Sequence, residues 1–366
     1  MKTVVISAVN IRKGGTLTIL KQCLEYLSSV AKEHQWRVIA IVHRKDLCLY
    51  SGIEYIEMPH VAKGWLRRLW CEYITMNRLS KQLGHIDLWF SLHDTTPRVK
   101  AARQAVYCQT SFPFLKWKIQ DLRFDPKIVL FALLTRFAYR INIHKNRYLI
   151  VQAEWLRQGF ANMFGIAANK FIVAPPQKPN ITIEPQQTQA KPYTFFFPST
   201  PDCHKNFELA CEAAKRLEQE VGKGLFNLII TIQGHENRYA EWLHQKWGNV
   251  ESIRFVGFLT KEQLFNTYAQ SNCLVYPSRV ETWGLAISEF GAFDKPMILA
   301  DLPYAHETSA GCSMVSYFEP DDAEALKHRM RQVMEGNLEG FAPNPGKAIE
   351  PPVTHNWEEL FALLLE

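Results

Sequence analysis

The chain predicts an α/β protein built from two tandem domains, each a parallel sheet wrapped by helices. Three observations lead there. Strand-like and helix-like periods alternate along all 366 residues, and such alternation builds parallel sheets flanked by helices. The length exceeds what one hydrophobic core usually organises, so two domains of about 150–200 residues are expected. A stretch rich in proline and glutamine, APPQKPNITIEPQQTQAKP at 174–192, interrupts the pattern without a period of its own, as a linker does.

In the first series VVISAV (4–9), WRVIAIV (36–42), IEYIEM (53–58), IDLWFSL (86–92), QAVYCQ (104–109) and RYLIVQ (147–152) read as strands, being β-branched or aromatic runs bounded by polar residues. Helical spacing of apolar residues marks 16–31, 65–83, 127–143 and 154–164 between them. The second series offers YTFFFP (193–198), FNLIITI (226–232), SIRFVG (252–257), CLVYPS (273–278) and PMILA (296–300) as strands. Helices near 206–220, 236–247, 261–270, 284–293 and 321–335 alternate with them. The expected division is a first domain over 1–175, a linker over 176–192, a second domain over 193–345 and a closing segment over 346–366.

Composition narrows the class. Hydrophobic residues make up 47% and charged ones 21%, which supplies two cores and argues against disorder. The longest apolar runs, such as IVLFALL (128–134), fall short of the roughly 18 residues a spanning helix needs. The N-terminus runs directly into a strand, so no signal peptide is expected. Eight cysteines (23, 48, 71, 108, 203, 211, 273 and 312) form no CxxC pair, which suggests reduced thiols in a cytoplasmic protein rather than a disulfide or zinc framework.

The net charge of +6 is unevenly spread. Residues 1–180 hold 27 Lys+Arg against 11 Asp+Glu, a balance of +16, whereas residues 181–366 hold 15 against 25, a balance of −10. A basic half suits a polyanion or an anionic membrane surface. Residues 98–147 concentrate eleven Lys+Arg against Asp121 and Asp125, interleaved with Phe112, Phe114, Trp117 and Phe124, and GWLRRLWCEYITMNRL (64–79) adds a second basic, Trp-bearing helix. Cations beside aromatic rings suit lipid headgroups. No recognised nucleic-acid module surrounds them, so nucleic acid is not an expected partner.

Three stretches bear chemistry. In NIRKGG (10–15) Gly14 and Gly15 leave the first strand and open a helix, where free N–H groups attract phosphate or carboxylate. The spacing lacks the G-x-G-x-x-G of a dinucleotide site, and the same residues also read as a plain glycine turn. In PSTPDCHKNFELACEAAKRL (198–217) a polar loop delivers His204, Lys205 and Asn206 to a helix start. A lysine there opposes the helix dipole unless an anion lies between them, which points to a diphosphate; a solvated lysine is the alternative. In ETWGLAISE (281–289) two acids stand eight residues apart. As a helix that spacing is about 12 Å of rise and roughly 80° past two turns, too far for a carboxylate dyad. Glu281 is expected in the loop after a strand, with Thr282, Trp283 and Gly284 turning into a helix that carries Glu289. Two such acceptors suit the hydroxyl-bearing ends of one elongated ligand, with the amides of 283–286 facing its middle.

These residues resemble the retaining GT-B glycosyltransferases of family 4, the glycosyl transferases group 1. The resemblance rests on the E-x7-E element within SRVETWGLAISEFGAFDKPMILAD (278–301), on HKN (204–206) and on IRFVGFLTKEQLFNTYAQSNCLVYPS (253–278). It extends to VQAEWLRQGFANMFGIAANKFIVAPP (151–176) and THNWEELFALLLE (354–366). It implies two Rossmann-like doubly wound domains facing a central cleft. The implied activity moves a hexose from a UDP-, GDP- or ADP-sugar to a saccharide or lipid-linked saccharide in surface polysaccharide or glycolipid assembly, with no cofactor or bound metal. The resemblance further implies that Glu281 holds donor sugar hydroxyls, Glu289 accepts from the ribose and Lys205 stabilises the departing diphosphate. Gly14 and Gly15 would face phosphate, and His204, Gly234, Thr282, Trp283, Gly284 and Leu285 would line the donor. The last helix would cross back onto the first domain.

Two departures qualify the pattern. FPSTPDCHK (197–205) offers no arginine ahead of the lysine, leaving His204 or Arg279 as substitutes. YCQTSFPF (107–114) carries Gln109 where relatives carry a histidine. Glutamine can hydrogen-bond a sugar hydroxyl but moves no proton, so Gln109 is expected to position the donor, with His93 and Asp94 of SLHDTTP (91–97) as further polar groups or a turn cap. A nucleotide-sugar epimerase of the same architecture and a non-catalytic nucleotide-sugar binder are the alternatives. The expected location is the cytoplasm, with peripheral contact at the inner membrane face.

Overall fold

Two parallel sheets organise the chain, and the structure, a computed structural model, describes residues 1–176 and 192–366. Strands β1 (Thr3–Ala8), β2 (Arg37–Val42), β3 (Ile53–Glu57), β4 (Leu88–Ser91), β5 (Arg103–Tyr107), β6 (Tyr148–Val151) and β7 (Phe171–Val173) form the first sheet in the order β3-β2-β1-β4-β5-β6-β7. Strands β8 (Tyr193–Phe197), β9 (Phe226–Ile230), β10 (Ile253–Phe255), β11 (Cys273–Tyr276), β12 (Met297–Ala300) and β13 (Val315–Phe318) form the second in the order β10-β9-β8-β11-β12-β13. The order reverses beside the first strand of each sheet, between β1 and β4 and between β8 and β11. Doubly wound sheets bind ligands outside the carboxyl ends at such a reversal.

Burial explains the near-continuous apolar runs. All six residues of β1 are buried, as expected of a parallel strand covered on both faces. Alternate residues serve opposite faces. Val4, Ile6 and Ala8 pack with Leu20, Leu24 and Leu27 of the helix Gly14–Val30 and with Leu360, Phe361 and Leu364 of the closing helix Trp357–Leu365. Val5, Ile39, Ile41 and Trp89 pack with Cys71 and Met76 on the other face. In the second sheet Phe195, Phe196 and Phe197 are fully buried in succession.

Two compact units result. The first takes the described residues of Met1–Thr110, Leu134–Gln177 and Ile349–Glu366, and the second those of Ser111–Leu133 and Lys178–Ala348. This corrects the expected first domain over 1–175, because 111–133 groups with the second unit. Local contacts supply the reason: Phe124 lies 5.5 Å from the ring of Tyr239 and 5.0 Å from that of Trp242, and Phe112 stands edge-on to His204 at 5.4 Å. The charge asymmetry shrinks accordingly. The first unit holds 22 Lys+Arg against 13 Asp+Glu, a balance of +9, and the second 20 against 23, a balance of −3. Most of the expected linker, 177–191, lies outside the described residues.

Other differences are local. β7 and β13 were not expected as strands. The helix expected over 65–83 contains a π-helical turn, Cys71–Thr75, between the helices Trp65–Trp70 and Met76–Gln82. The extra residue per turn rotates Glu72 inward, where it is 1% exposed.

Candidate functional site

The reversal point of the second sheet gathers the loop after β8 and the loop after β11. The first loop ends in a tight turn, Cys203–Lys205, and Asn206 follows in the left-handed region at φ +62°, a conformation that asparagine tolerates better than most residues. The buried Asn206 side chain donates to the carbonyls of Pro277 and Pro320, each at 3.2 Å. It thereby ties the two loops together before the helix Phe207–Val221 begins.

Lys205 and Glu281 meet there. Lys205 Nζ donates to Glu281 Oε1 at 2.5 Å, with side chains only 12% and 11% exposed. The hydroxyl of Tyr276, the last residue of β11, donates to the same oxygen at 2.9 Å. Among the described residues both bonds fall on Oε1. Beyond Glu281 the chain turns through Gly284, at φ +90°, into the short helix Leu285–Gly291. The backbone conformation calls for glycine there, while an added Cβ would stand 3.3 Å from Ile287 Cδ1, a side-chain end that must give by a few tenths of an ångström. Thr282 and Trp283 are half-buried and Leu285 is exposed. Glu289 accepts from the Tyr268 hydroxyl at 3.0 Å, and burial holds its carboxyl above the usual range despite that bond.

The two candidate substitutes for a phosphate-binding arginine are otherwise engaged. Arg279 is buried and donates to both carboxylate oxygens of Asp121, at 2.6 and 2.9 Å, and to the Cys203 carbonyl at 2.9 Å. Its own amide donates to the His204 carbonyl at 2.8 Å. Its charge is therefore neutralised internally, and its role is to clamp the turn that carries Lys205. His204 is 8% exposed. Burial, then the neighbouring charges of Lys205 and Arg279, push its imidazole well below the ordinary value, so it stands neutral and offers no cation.

Gly234 also differs from expectation in its surroundings. The amides of Gln233, Gly234 and His235 donate to the Glu236 carboxylate at 2.6, 2.8 and 3.0 Å. Burial raises that carboxyl, but these amides outweigh the effect and hold it below its usual range. A Cβ on Gly234 would collide with His244 at 2.6 Å.

Gly14, Gly15 and Gln109 belong to the first unit. Gly14 adopts φ +70° at the start of its helix, and a Cβ at 14 or 15 would meet no atom within 4 Å; backbone conformation alone calls for glycine, and only at 14. The Gln109 side-chain amide donates to the Leu92 carbonyl at 2.6 Å, and its backbone N–H donates to Asp94 Oδ1 at 2.5 Å. Asp94, at φ +70°, serves as a turn cap. His93 is buried rather than presented at an open strand end. Its Nε2 lies 3.0 Å from Ser7 Oγ and its Nδ1 3.1 Å from Glu72 Oε1. Sequence reasoning missed Tyr276, Tyr268, Asp121 and Glu72; the π-turn alone had no sequence signal, whereas the tyrosines sat unremarked at the ends of apolar runs.

Comparison with known proteins bears on this arrangement. The family model described as glycosyl transferases group 1 matches residues 180–347. The O-antigen chain mannosyltransferase RfbU of Salmonella typhimurium is 21% identical over 245 residues, which span 64% of this chain and 66% of the relative. Among solved structures, the apo lipopolysaccharide outer core galactosyltransferase WaaB matches with a TM-score of 0.63 at 12% identity, covering 92% of this chain and 91% of that one. Anabaena Alr3699/HepE in complex with UDP and glucose matches with a TM-score of 0.60 at 14% identity, covering 93% and 91%. The structural likenesses show the fold, that of the GT-B glycosyltransferases. The match to the glycosyl transferases group 1 model lies over the second unit.

Proposed function

We propose that the chain is a retaining, metal-independent glycosyltransferase of family 4. In this reading it moves a hexose from a nucleotide-diphosphate sugar to a saccharide or lipid-linked saccharide during surface polysaccharide assembly. The observation that carries the reading is the Lys205–Glu281 pair at the reversal point of the second sheet, with Glu289 on the helix that follows. An ammonium has three donors. One reaches Glu281, and two remain for the oxygens of a departing diphosphate, whose growing charge a preorganised cation stabilises. Glu281 Oε2 is the acceptor for a hydroxyl of the transferred sugar, and Glu289 the acceptor for the ribose. The relatives support the donor and product classes: RfbU and WaaB are named for hexose transfer to O-antigen and lipopolysaccharide core, and HepE holds UDP and glucose. We place the work in the cytoplasm, at the inner membrane face when the acceptor is lipid-linked.

The test starts with thermal shifts against UDP-, GDP- and ADP-sugars, since a ligand at about a hundred times its dissociation constant adds roughly 2.7 kcal/mol. The stabilising donor then enters a transfer assay with saccharide acceptors. Glu281→Gln is expected to lower the rate at saturating donor by about 10²-fold or more; an unchanged rate would remove Glu281 from the reaction.

A further inference from the structure

The helix Pro126–Arg140 has two apolar stripes, and only one is covered. Ile128, Val129, Ala132 and Tyr139 are buried along one side. Leu130, Leu133, Leu134 and Phe137 are 48–55% exposed along the other, and Ile141 continues them at 44% just past the helix end. Their spacing of three, one, three and four residues keeps them on a single face. Scattered exposed leucines are ordinary, but a contiguous stripe on one helix marks an interaction surface.

Charge identifies the occupant. At 100° per residue Lys127 falls on one flank of the exposed stripe and Arg136 and Arg140 on the other; all three are exposed, and Arg136 lies over the Phe137 ring at 4.6 Å. From Pro126 to Arg147 there is no acidic residue. An apolar stripe bordered by cations on both sides matches the acyl and headgroup layers of an anionic bilayer. A second copy packed on the same face would bring like charges together, since a two-fold contact sets each patch against itself.

We infer that the exposed face of helix Pro126–Arg140 docks the protein onto an anionic lipid surface, lying in the interface with its cations at headgroup level. This deepens the membrane-contact part of the proposed function and does not depend on the transfer chemistry. The experiment is sedimentation of the full chain with vesicles of phosphatidylcholine, alone or with about one-third phosphatidylglycerol, in the absence of any donor or acceptor. Binding is expected only to the anionic vesicles and is expected to fall with salt. Leu133→Asp with Phe137→Asp should weaken it at least about tenfold, because two apolar side chains leave the lipid. Arg136→Gln with Arg140→Gln should weaken it less and flatten the salt dependence. All four side chains are exposed, and circular dichroism and donor thermal shifts should match the parent chain. Equal sedimentation of parent and Leu133→Asp/Phe137→Asp chains would overturn the inference. So would a parent dimer that these substitutions dissolve while vesicle binding persists, and so would capture of a protein partner by the stripe without any lipid binding. Loss of transfer with vesicle binding intact would count against the glycosyltransferase reading alone.

Discussion

Replacing Asp121 by Asn tests whether the Lys205 turn is held by a buried ion pair. Arg279 and Asp121 are 5% and 2% exposed in their side chains and share two N–H···O contacts at 2.6 and 2.9 Å. That burial removes the pair from the regime of surface ion pairs, which contribute about 0–1 kcal/mol. It places it among buried pairs, where removing one partner costs about 3–5 kcal/mol because the other charge stays desolvated. Asp121→Asn keeps the shape and one acceptor, so the lower half of that range, about 3 kcal/mol, is the expectation. Urea unfolding followed by tryptophan fluorescence reads it, since Trp247 is buried in the same unit. The double variant Asp121→Asn/Arg279→Met removes the stranded charge and should recover at least about half of the loss. Asp121→Asn within about 1 kcal/mol of the parent, or a double variant whose cost is the sum of its parts, would refute the clamp. Because Arg279 also holds the carbonyls of Cys203 and His204 through its guanidinium and its amide, transfer activity should fall even where the chain remains folded.

Three further outcomes follow from particular residues. Burial pushes the Glu72 carboxyl from 4.5 up to about 7 and the His93 imidazole from 6.5 down to about 3. Glu72 therefore contributes stability below pH 4.5 and loses it as pH rises through 7, while His93 contributes above 6.5 and loses it as pH falls toward 3. Glu72→Gln removes only the first limb and should gain about 3 kcal/mol on the parent between pH 4.5 and pH values above 7; urea midpoints across pH read it, and a pH-independent difference would count against a protonated Glu72. Glu289→Gln should raise the donor KM about tenfold with a smaller change in kcat, because in the proposed reading the ribose it holds lies away from the bond that breaks; an equal fall in kcat would move Glu289 into the reaction itself. Gly284→Ala should lower stability by about 1–2 kcal/mol through its φ of +90°, and a thermal midpoint equal to the parent's would show that the turn relaxes.

Much of the scaffold was legible because burial on both faces writes itself as uninterrupted β-branched and aromatic runs. Every expected strand overlaps one of β1–β6 or β8–β12. β7 escaped because three residues are too few for a period. β13 escaped because Val315–Phe318 alternates with a serine and a tyrosine beside turn residues. The closing helix Trp357–Leu365 was expected only through the family resemblance of THNWEELFALLLE (354–366). The helix at 65–83 was legible in extent but not in its π-turn, since one extra residue in a helix leaves the composition unchanged.

At the site, legibility divided along the range of the interactions. As candidates, Glu281 and Lys205 are legible by lying where a strand hands over to a helix, and Glu289 by its spacing from Glu281 on the helix that follows. Arg279 shows the limit. Its place near the loop made it a reasonable phosphate ligand, yet the residue that decides its role is Asp121, 158 positions away, and no local pattern names that partner. The same distance moved 111–133 out of the first domain. Once Arg279 is neutralised by Asp121 and His204 stands neutral by burial, Lys205 is left as the cation of its loop among the described residues 198–206. Its contact with Glu281 then acquires a second meaning. Before a donor arrives, the pair keeps two nearly buried charges from standing alone, which would cost several kcal/mol each. In the proposed reading a diphosphate on the two remaining Lys205 donors and a sugar hydroxyl on Glu281 Oε2 would add to that contact rather than replace it, so the preformed pair positions the leaving group and the sugar together.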